Sequence, residues 1–281
     1  LLAKLFIRLF DFLLFSNLFI SICATVVTFQ TFHVFNHIPN NYYLGFVFGG
    51  TLCSYNFHSL LNLKIDKSSP KLNWGLQFKV IQVVFMISGL MIAGFCFFQV
   101  DLLRFWLLFS ILITFLYSAP LLEFPFFRNL KRIAIGKTAF LAFAWTFITC
   151  LLPLLFHSME LKFNEALYVF SRFYFIYSIC ILFDYRDKEN DKALGIVSLV
   201  TNLSERGIKF LFFASLMISI ASAVPMLRGY SIGFYIAFIL PVLILTTTFH
   251  LSIRTRSDYW YYFLLDGMMM LSGLLLIIFH F

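Results

Sequence analysis

Three carboxylates stand in the spacing D-x-x-D-x-x-x-D within Phe183-Asp184-Tyr185-Arg186-Asp187-Lys188-Glu189-Asn190-Asp191, directly after a long apolar run. On a helix, at about 100° per residue, Asp184, Asp187 and Asp191 fall within an arc of roughly 60° and form one acidic face. Two carboxylates about 6 Å apart, at an effective dielectric of about 20, repel by about 3 kcal/mol, which favours a bound cation or a close basic partner. Mg²⁺ suits such a face, because it takes one or two carboxylates and fills its other positions with water and substrate phosphates. Arg186, Lys188, Glu189 and Lys192 share the region. A salt-bridged, solvated segment is therefore the competing reading.

The elements that must position this face are membrane spans. Hydrophobic residues make up 61% of the 281 residues, charged ones only 12%, and the mean hydropathy is +0.91, so lipid is the main solvent. Apolar runs of about 20 residues bounded by charges or turn formers predict nine transmembrane helices, at roughly 10–35, 42–62, 78–98, 102–119, 133–156, 165–183, 207–227, 231–250 and 259–280. The expected fold class is all-α: a polytopic bundle forming a single transmembrane domain over 1–281, with cytoplasmic loops at about 63–77 and 184–206.

The N-terminus and the connections after spans two, four, six and eight hold 17 of the 21 lysines and arginines. The opposite connections hold only Arg104, Lys162 and Arg228, and Arg172 falls inside span six. The positive-inside rule then predicts a cytoplasmic N-terminus, an outer C-terminus and an acidic motif facing the cytoplasm, which in a bacterium means the inner membrane. That alternation needs an odd number of spans. The net charge of +8 reads as topology and attraction to anionic lipid, and requires no nucleic acid partner. The first apolar stretch is too long for a cleavable signal and lacks a small-residue cleavage site, so it is expected to remain as a span.

Few other residues offer chemistry. Cys23, Cys53, Cys96, Cys150 and Cys180 are dispersed with no C-x-x-C pair, so neither a disulfide framework nor a zinc site is expected. His33 and His37 stand at i and i+4 near the outer end of span one, with no acid or cysteine close in sequence to complete a metal site. Asp266 lies about seven residues into the last span, about 10 Å below its cytoplasmic start. An ionisable group at that depth is read as functional by default; pairing with a neighbour such as Gln82, or with a buried water, is the alternative. Most of the 40 phenylalanines must face lipid or pack between helices.

Aligned on Cys53 and Cys180, the ends of spans two and six both leave the membrane through polar residues, Asn56, His58, Ser59 and Asn62 beside Asp184, Asp187 and Asp191. Gly195 follows the acidic motif, Tyr117-Ser118-Ala119-Pro120 ends span four with Lys131 downstream, and Leu265-Asp266-Gly267 lies in the last span. With nine spans, these features resemble the UbiA-type intramembrane prenyltransferase superfamily over nearly the whole chain.

The resemblance implies transfer of an isoprenoid from its diphosphate to an acceptor, aromatic or lipidic, with Mg²⁺ as cofactor. It implies Asp184, Asp187 and Asp191 as metal-binding and catalytic residues, and Asn56, His58, Tyr117, Lys131, Lys188, Lys192 and Asp266 as substrate-binding ones. The implied partners are an isoprenyl diphosphate donor, a hydrophobic acceptor and membrane lipid. Tyr55, Phe57 and Tyr117 would turn aromatic faces to an allylic cation.

One departure matters. The family's first motif, N-D-x-x-D, reads Asn56-Phe57-His58-Ser59-Leu60, and Phe and Leu cannot ligate a cation. Asp66 lies outside the pattern. Either the metal is held mainly by the second motif, or the chain is a catalytically silent or repurposed relative that binds isoprenoid or another lipid. Asn56 and His58 could equally serve to join helices. A transporter is the third reading, since Pro153, Pro225 and Pro241 interrupt spans; against it, the ionisable cluster is at the rim and not at the midplane.

Overall fold

A computed structural model describes residues 2–62, 69–101, 104–118, 136–193 and 198–279. The described residues form helices and short connections with no strand. The helices are α1 (Leu2–Phe15), α2 (Leu18–Val34), α3 (Asn41–Asn62), α4 (Pro70–Gln77), α5 (Lys79–Phe98), α6 (Arg104–Ser118), α7 (Lys137–Leu155), α8 (Phe163–Ala193), α9 (Leu199–Asn202), α10 (Glu205–Met226), α11 (Ile232–Arg254) and α12 (Trp260–Ile278). Six of them, α5, α7, α8, α10, α11 and α12, are long and apolar enough to cross a membrane, and the bent pair α1–α2 makes a seventh if it is one span. A helix lies along each predicted span. The described residues are all-helical, and the protein is a multi-pass membrane protein.

Burial sorts these helices into a centre and a rim. The apolar windows of α7 and α8 are 67% and 61% buried, whereas that of α5 is 22% buried, so α5 turns most of its apolar surface to lipid. Its inner face meets α3 closely: a Cβ on Gly89 would stand 2.7 Å from Cys53 N and 2.7 Å from Gly49 O. Only glycine permits that approach, which is how transmembrane helices gain contact without a hydrophobic driving force.

Two features shape the polar end of the bundle. Helices α1 and α2 meet at a 60° bend. Asn17 makes the bend in the left-handed region, φ 64°, which asparagine tolerates better than most residues. Helix α8 continues beyond the predicted end of its span, because no glycine or proline interrupts it from Phe183 to Ala193. Much of the stretch expected as a loop at 184–206 is therefore helix. Within the loop expected at 63–77, Ser69 caps α4 by accepting from Leu72 N at 3.2 Å.

Helices α7 and α12 each contain a π-helical segment, Phe147–Leu151 and Trp260–Leu265. Carbonyls of the first are taken by neighbouring helices: Thr31 Oγ1 donates to Thr149 O at 2.8 Å, and the Tyr43 hydroxyl donates to Ile148 O. Such cross-helix donors keep irregular backbone satisfied inside a membrane protein. Arg172, 2% exposed, is held in the same way through its two terminal nitrogens, which donate to Met269 O at 2.7 Å and Ser272 Oγ at 3.0 Å while its Nε has no partner, and Ser272 donates to Gln30 Oε1 at 3.0 Å. That relay ties α8, α12 and α2 together.

Candidate functional site

The acidic motif occupies the last turns of α8. Asp184 and Asp191, two helical turns apart, are 7% and 6% exposed and face the start of α7. There Lys137 lies between them, its Nζ 3.1 Å from Asp191 Oδ2 and 3.8 Å from Asp184 Oδ1. Thr138 donates its hydroxyl to Asp184 Oδ2. Burial pushes the Asp191 carboxyl above the ordinary carboxylate range, and Lys137 pulls it back down.

Asp187 turns to a different partner. Arg186 Nε donates to Asp187 Oδ1 at 2.8 Å, and its Nη2 donates to Asp187 Oδ2 at 3.3 Å and to the Tyr262 hydroxyl at 3.2 Å. The guanidinium also lies 4.6 Å from the Tyr261 ring centroid, and its Nη1 is 3.8 Å from Asp258 Oδ1. Asp258 in turn accepts from Lys71 N at 2.8 Å. The Lys71 ammonium sits 3.8 Å from the Tyr262 ring centroid and donates to Asn17 Oδ1 at 3.2 Å.

The asparagine retained from the first motif is built into the helix bend. Asn56, fully buried, donates to Ser16 O at 3.0 Å and Leu52 O at 2.8 Å, and accepts from Asn17 Nδ2 at 3.1 Å. His58 reaches the space between the two halves: its ring stacks on Tyr117 at 5.5 Å, its Nδ1 is 3.3 Å from Ser118 Oγ, and it feels the charges of Lys71, Lys137 and Asp187. Tyr117 is likewise within electrostatic reach of Lys137, Asp184 and Asp187. Asp266, 6% exposed, lies deeper, within reach of Lys71, Arg186, Tyr55 and Cys23. Gln82, offered as its alternative partner, keeps a buried Oε1 with no hydrogen-bond partner.

Asp184, Asp187, Asp191, His58 and Tyr117 thus lie within electrostatic reach of Lys137 or of one another, Asp266 within reach of Lys71 and Arg186, and Asn56 in the adjacent helix bend. Lys188 and Lys192 do not join them: Lys188 Nζ donates to Leu203 O at 3.2 Å, and Lys192 pairs with Glu189 at 3.8 Å on the exposed side. Lys131, Asp66, Ala119, Pro120 and Gly195 lie outside the described residues. Sequence reasoning did not single out Lys137, Thr138, Lys71, Asp258, Tyr262 or Asn17. The one available signal was a lysine opening an apolar run, at Lys137.

Among the described residues no group of three or more His, Cys, Asp or Glu side chains gathers as a metal-ligand set. The donor chemistry still suits Mg²⁺. Asp184 and Asp191 provide two carboxylates on one helix face with a cationic group already between them, and Mg²⁺ requires only one or two carboxylates when phosphate oxygens and water complete its shell. The outer histidines do not form such a site; His37 stacks on His157 at 4.0 Å.

No family model matches the chain, and no curated protein matches it. A solved structure of a digeranylgeranylglyceryl phosphate synthase, a UbiA-type prenyltransferase, matches 96% of this chain and 98% of its own length, with a TM-score of 0.52 and 16% identity. At that identity the likeness concerns the path of the chain. The protein shares the overall fold of that structure.

Proposed function

We propose that the protein is a membrane-embedded transferase that moves an isoprenoid group from its diphosphate to a hydrophobic acceptor, aromatic or lipidic, at the cytoplasmic side of a nine-span bundle. The observation that carries this reading is the placement of one ammonium, Lys137, between two buried carboxylates, Asp184 and Asp191, within electrostatic reach of Tyr117 and His58. The shared fold supports it.

Asp184 and Asp191 would hold Mg²⁺, with Asp187 reaching it once released from Arg186. Bound there, the ion would neutralise charge building on the departing diphosphate. Lys137 would transfer its hydrogen bond from Asp191 to a diphosphate oxygen, and Thr138 would keep Asp184 oriented. As the allylic C–O bond breaks, its electron pair leaves with the diphosphate. The rings of Tyr117, within electrostatic reach of Asp184, and Tyr55, within reach of Asp266, would stabilise the resulting positive charge by about 0.5–2 kcal/mol each. The acceptor's nucleophile then bonds to that carbon and loses its proton. Asp266, 6% exposed in the last span, would orient the acceptor or take that proton.

A second reading is a silent relative that binds isoprenoid without turnover. It is favoured by the way Lys137 already neutralises both acids and by Phe57 and Leu60 in the first motif. Diphosphate release from geranyl, farnesyl and geranylgeranyl diphosphates by the purified protein separates the two. Mg²⁺-dependent release that is lost in Asp184→Asn is expected for the transferase; retained binding with no release across donors and acceptors would leave the silent relative.

A further inference from the structure

The end of the bundle opposite the acidic motif has a cavity of its own. About 280 Å³ in volume, it opens between the segment that follows α2, the start of α8 and the segment that precedes α11. Glu165, on its wall, and Asp184 both belong to α8, and at about 1.5 Å per residue they stand about 28 Å apart along the helix axis. The cavity is therefore separate from the acid pair.

Glu165 is 4% exposed, and its Oε2 accepts from Lys162 N at 2.8 Å. That bond caps α8, but a cap requires no burial. Among the described residues no lysine, arginine or histidine forms a salt bridge with this carboxylate, and the helix start lends it only a partial positive charge. A buried carboxylate so placed calls for a cation.

The other walls suit an organic ammonium. Phe35, Phe163 and Tyr230 turn rings to the cavity, and such faces attract cations. Two of the rings are fixed: Phe35 meets Tyr168 edge-on at 5.4 Å, and Tyr230 packs on Phe234 at 4.7 Å while its hydroxyl donates to Val34 O at 2.9 Å. Beside them His37 stacks on His157 at 4.0 Å, and its buried Nδ1 has no hydrogen-bond partner. Burial, then His157 and Lys162, hold the His37 imidazole below its ordinary pKa against the pull of Glu165, which keeps it neutral at pH 7. In the tautomer protonated at Nε2, Nδ1 is a free acceptor.

A primary ammonium carries three N–H donors, and a carboxylate and an imidazole nitrogen are present to accept them. A quaternary ammonium has none and would leave both acceptors unpaired. The exposed Lys162 side chain, on the same wall, supplies the opposite charge. Around the cavity Phe163, Ile232 and Ile38 are 75%, 75% and 92% exposed, an apolar margin at the ends of spans that suits acyl chains.

We propose that this cavity binds the phosphoethanolamine headgroup of a membrane phospholipid, its ammonium on Glu165 and His37 between the aromatic rings and its phosphate on Lys162. The inference does not depend on isoprenoid transfer.

The test uses the full chain, purified in detergent and stripped of lipid. It is titrated with phosphatidylethanolamine, phosphatidylcholine and phosphatidylglycerol of identical acyl chains and followed by native mass spectrometry and melting temperature. Glycerophosphoethanolamine, which has no acyl chains, is the soluble competitor. One ethanolamine lipid is expected to bind about tenfold or more tighter than the other two, to raise the melting temperature, and to be displaced by the competitor at higher concentration. Glu165→Gln should abolish the preference, and Lys162→Met should weaken ethanolamine-lipid binding about threefold. Equal affinity for the three lipids, or a preference for phosphatidylglycerol, would overturn the proposal. So would an ethanolamine preference that survives both substitutions, or one that the soluble competitor never touches, since acyl chains and not the headgroup would then be recognised. If Glu165→Gln does not fold, the exposed Lys162 decides alone: unchanged affinity in Lys162→Met counts against the site.

Discussion

Replacement of Lys137 by methionine is the most informative single perturbation of the acid pair. Lys137 Nζ is 3.1 Å from Asp191 and 3.8 Å from Asp184, and the two carboxylate side chains are 8% and 10% exposed. At an effective dielectric of about 20, the pairs with Asp191 and Asp184 are worth about 5 and about 4 kcal/mol before desolvation is counted. Removing one partner of a buried pair costs about 3–5 kcal/mol, because the remaining charge is left uncompensated. The Lys137 side chain is itself 26% exposed, so water shares the task and the lower end, about 3 kcal/mol, is expected.

The variant should therefore unfold more easily in EDTA than the wild type. A divalent ion occupying the vacated position should then stabilise it, by about 2.7 kcal/mol at a hundred times its dissociation constant. Thermal unfolding in detergent, with and without millimolar Mg²⁺, reads both effects. The expected result is a Lys137→Met protein whose melting temperature depends on Mg²⁺, a wild type whose melting temperature does not, and a Lys137→Met/Asp191→Asn double variant that recovers part of the loss in EDTA. A Lys137→Met protein as stable as the wild type in EDTA, or one indifferent to Mg²⁺, would refute the view that Lys137 stands in a cation site.

Asp184→Asn should lower turnover at least about a hundredfold in a prenyl-transfer assay while the protein stays folded. Asn56→Ala removes the side-chain donor to Ser16 O and leaves Asn17 Nδ2 with Ser59 Oγ as its remaining partner, and should cost about 1–3 kcal/mol in an unfolding titration, since Asn56 acts here as a joint between helices; unchanged stability would contradict that role. Gly89→Ala must push α3 and α5 apart against backbone atoms 2.7 Å away, and should lower stability by about 1–3 kcal/mol and reduce the folded yield in membranes. The raised Asp191 carboxyl means that the folded state takes up this proton at a higher pH than the unfolded chain does. Its contribution to stability therefore falls as pH rises from the unfolded pKa through the folded one, and Asp191→Asn should gain on the wild type over that interval in pH-dependent melting curves.

Much of this architecture was legible in the sequence because lipid imposes a simple rule. Backbone groups inside a bilayer must be satisfied within the segment, so long apolar runs become helices; six of the described helices, or seven counting the bent first pair, are long and apolar enough to cross a membrane, against nine predicted spans. The acidic face was also legible, since helical spacing brings Asp184 and Asp191 to the same side. The identity of their partner was not, because Lys137 lies 47 residues before Asp184 and only tertiary packing brings α7 beside α8. Asp187 escaped the expectation for a local reason: the neighbouring Arg186 captures it, and the rings of Tyr261 and Tyr262 hold that arginine in place. The bend at Asn17 was hidden within an unbroken apolar run, where nothing but one asparagine marks a backbone with positive φ.

The central claim is that the end of α8 binds an isoprenyl diphosphate through a divalent ion. Calorimetric titration of the purified protein with farnesyl thiodiphosphate, in Mg²⁺ and in EDTA, tests it most directly. The account predicts saturable binding that strengthens markedly with Mg²⁺ in the wild type and loses that dependence in Asp184→Asn. Binding that is absent, or equally strong in EDTA and in both proteins, would contradict it.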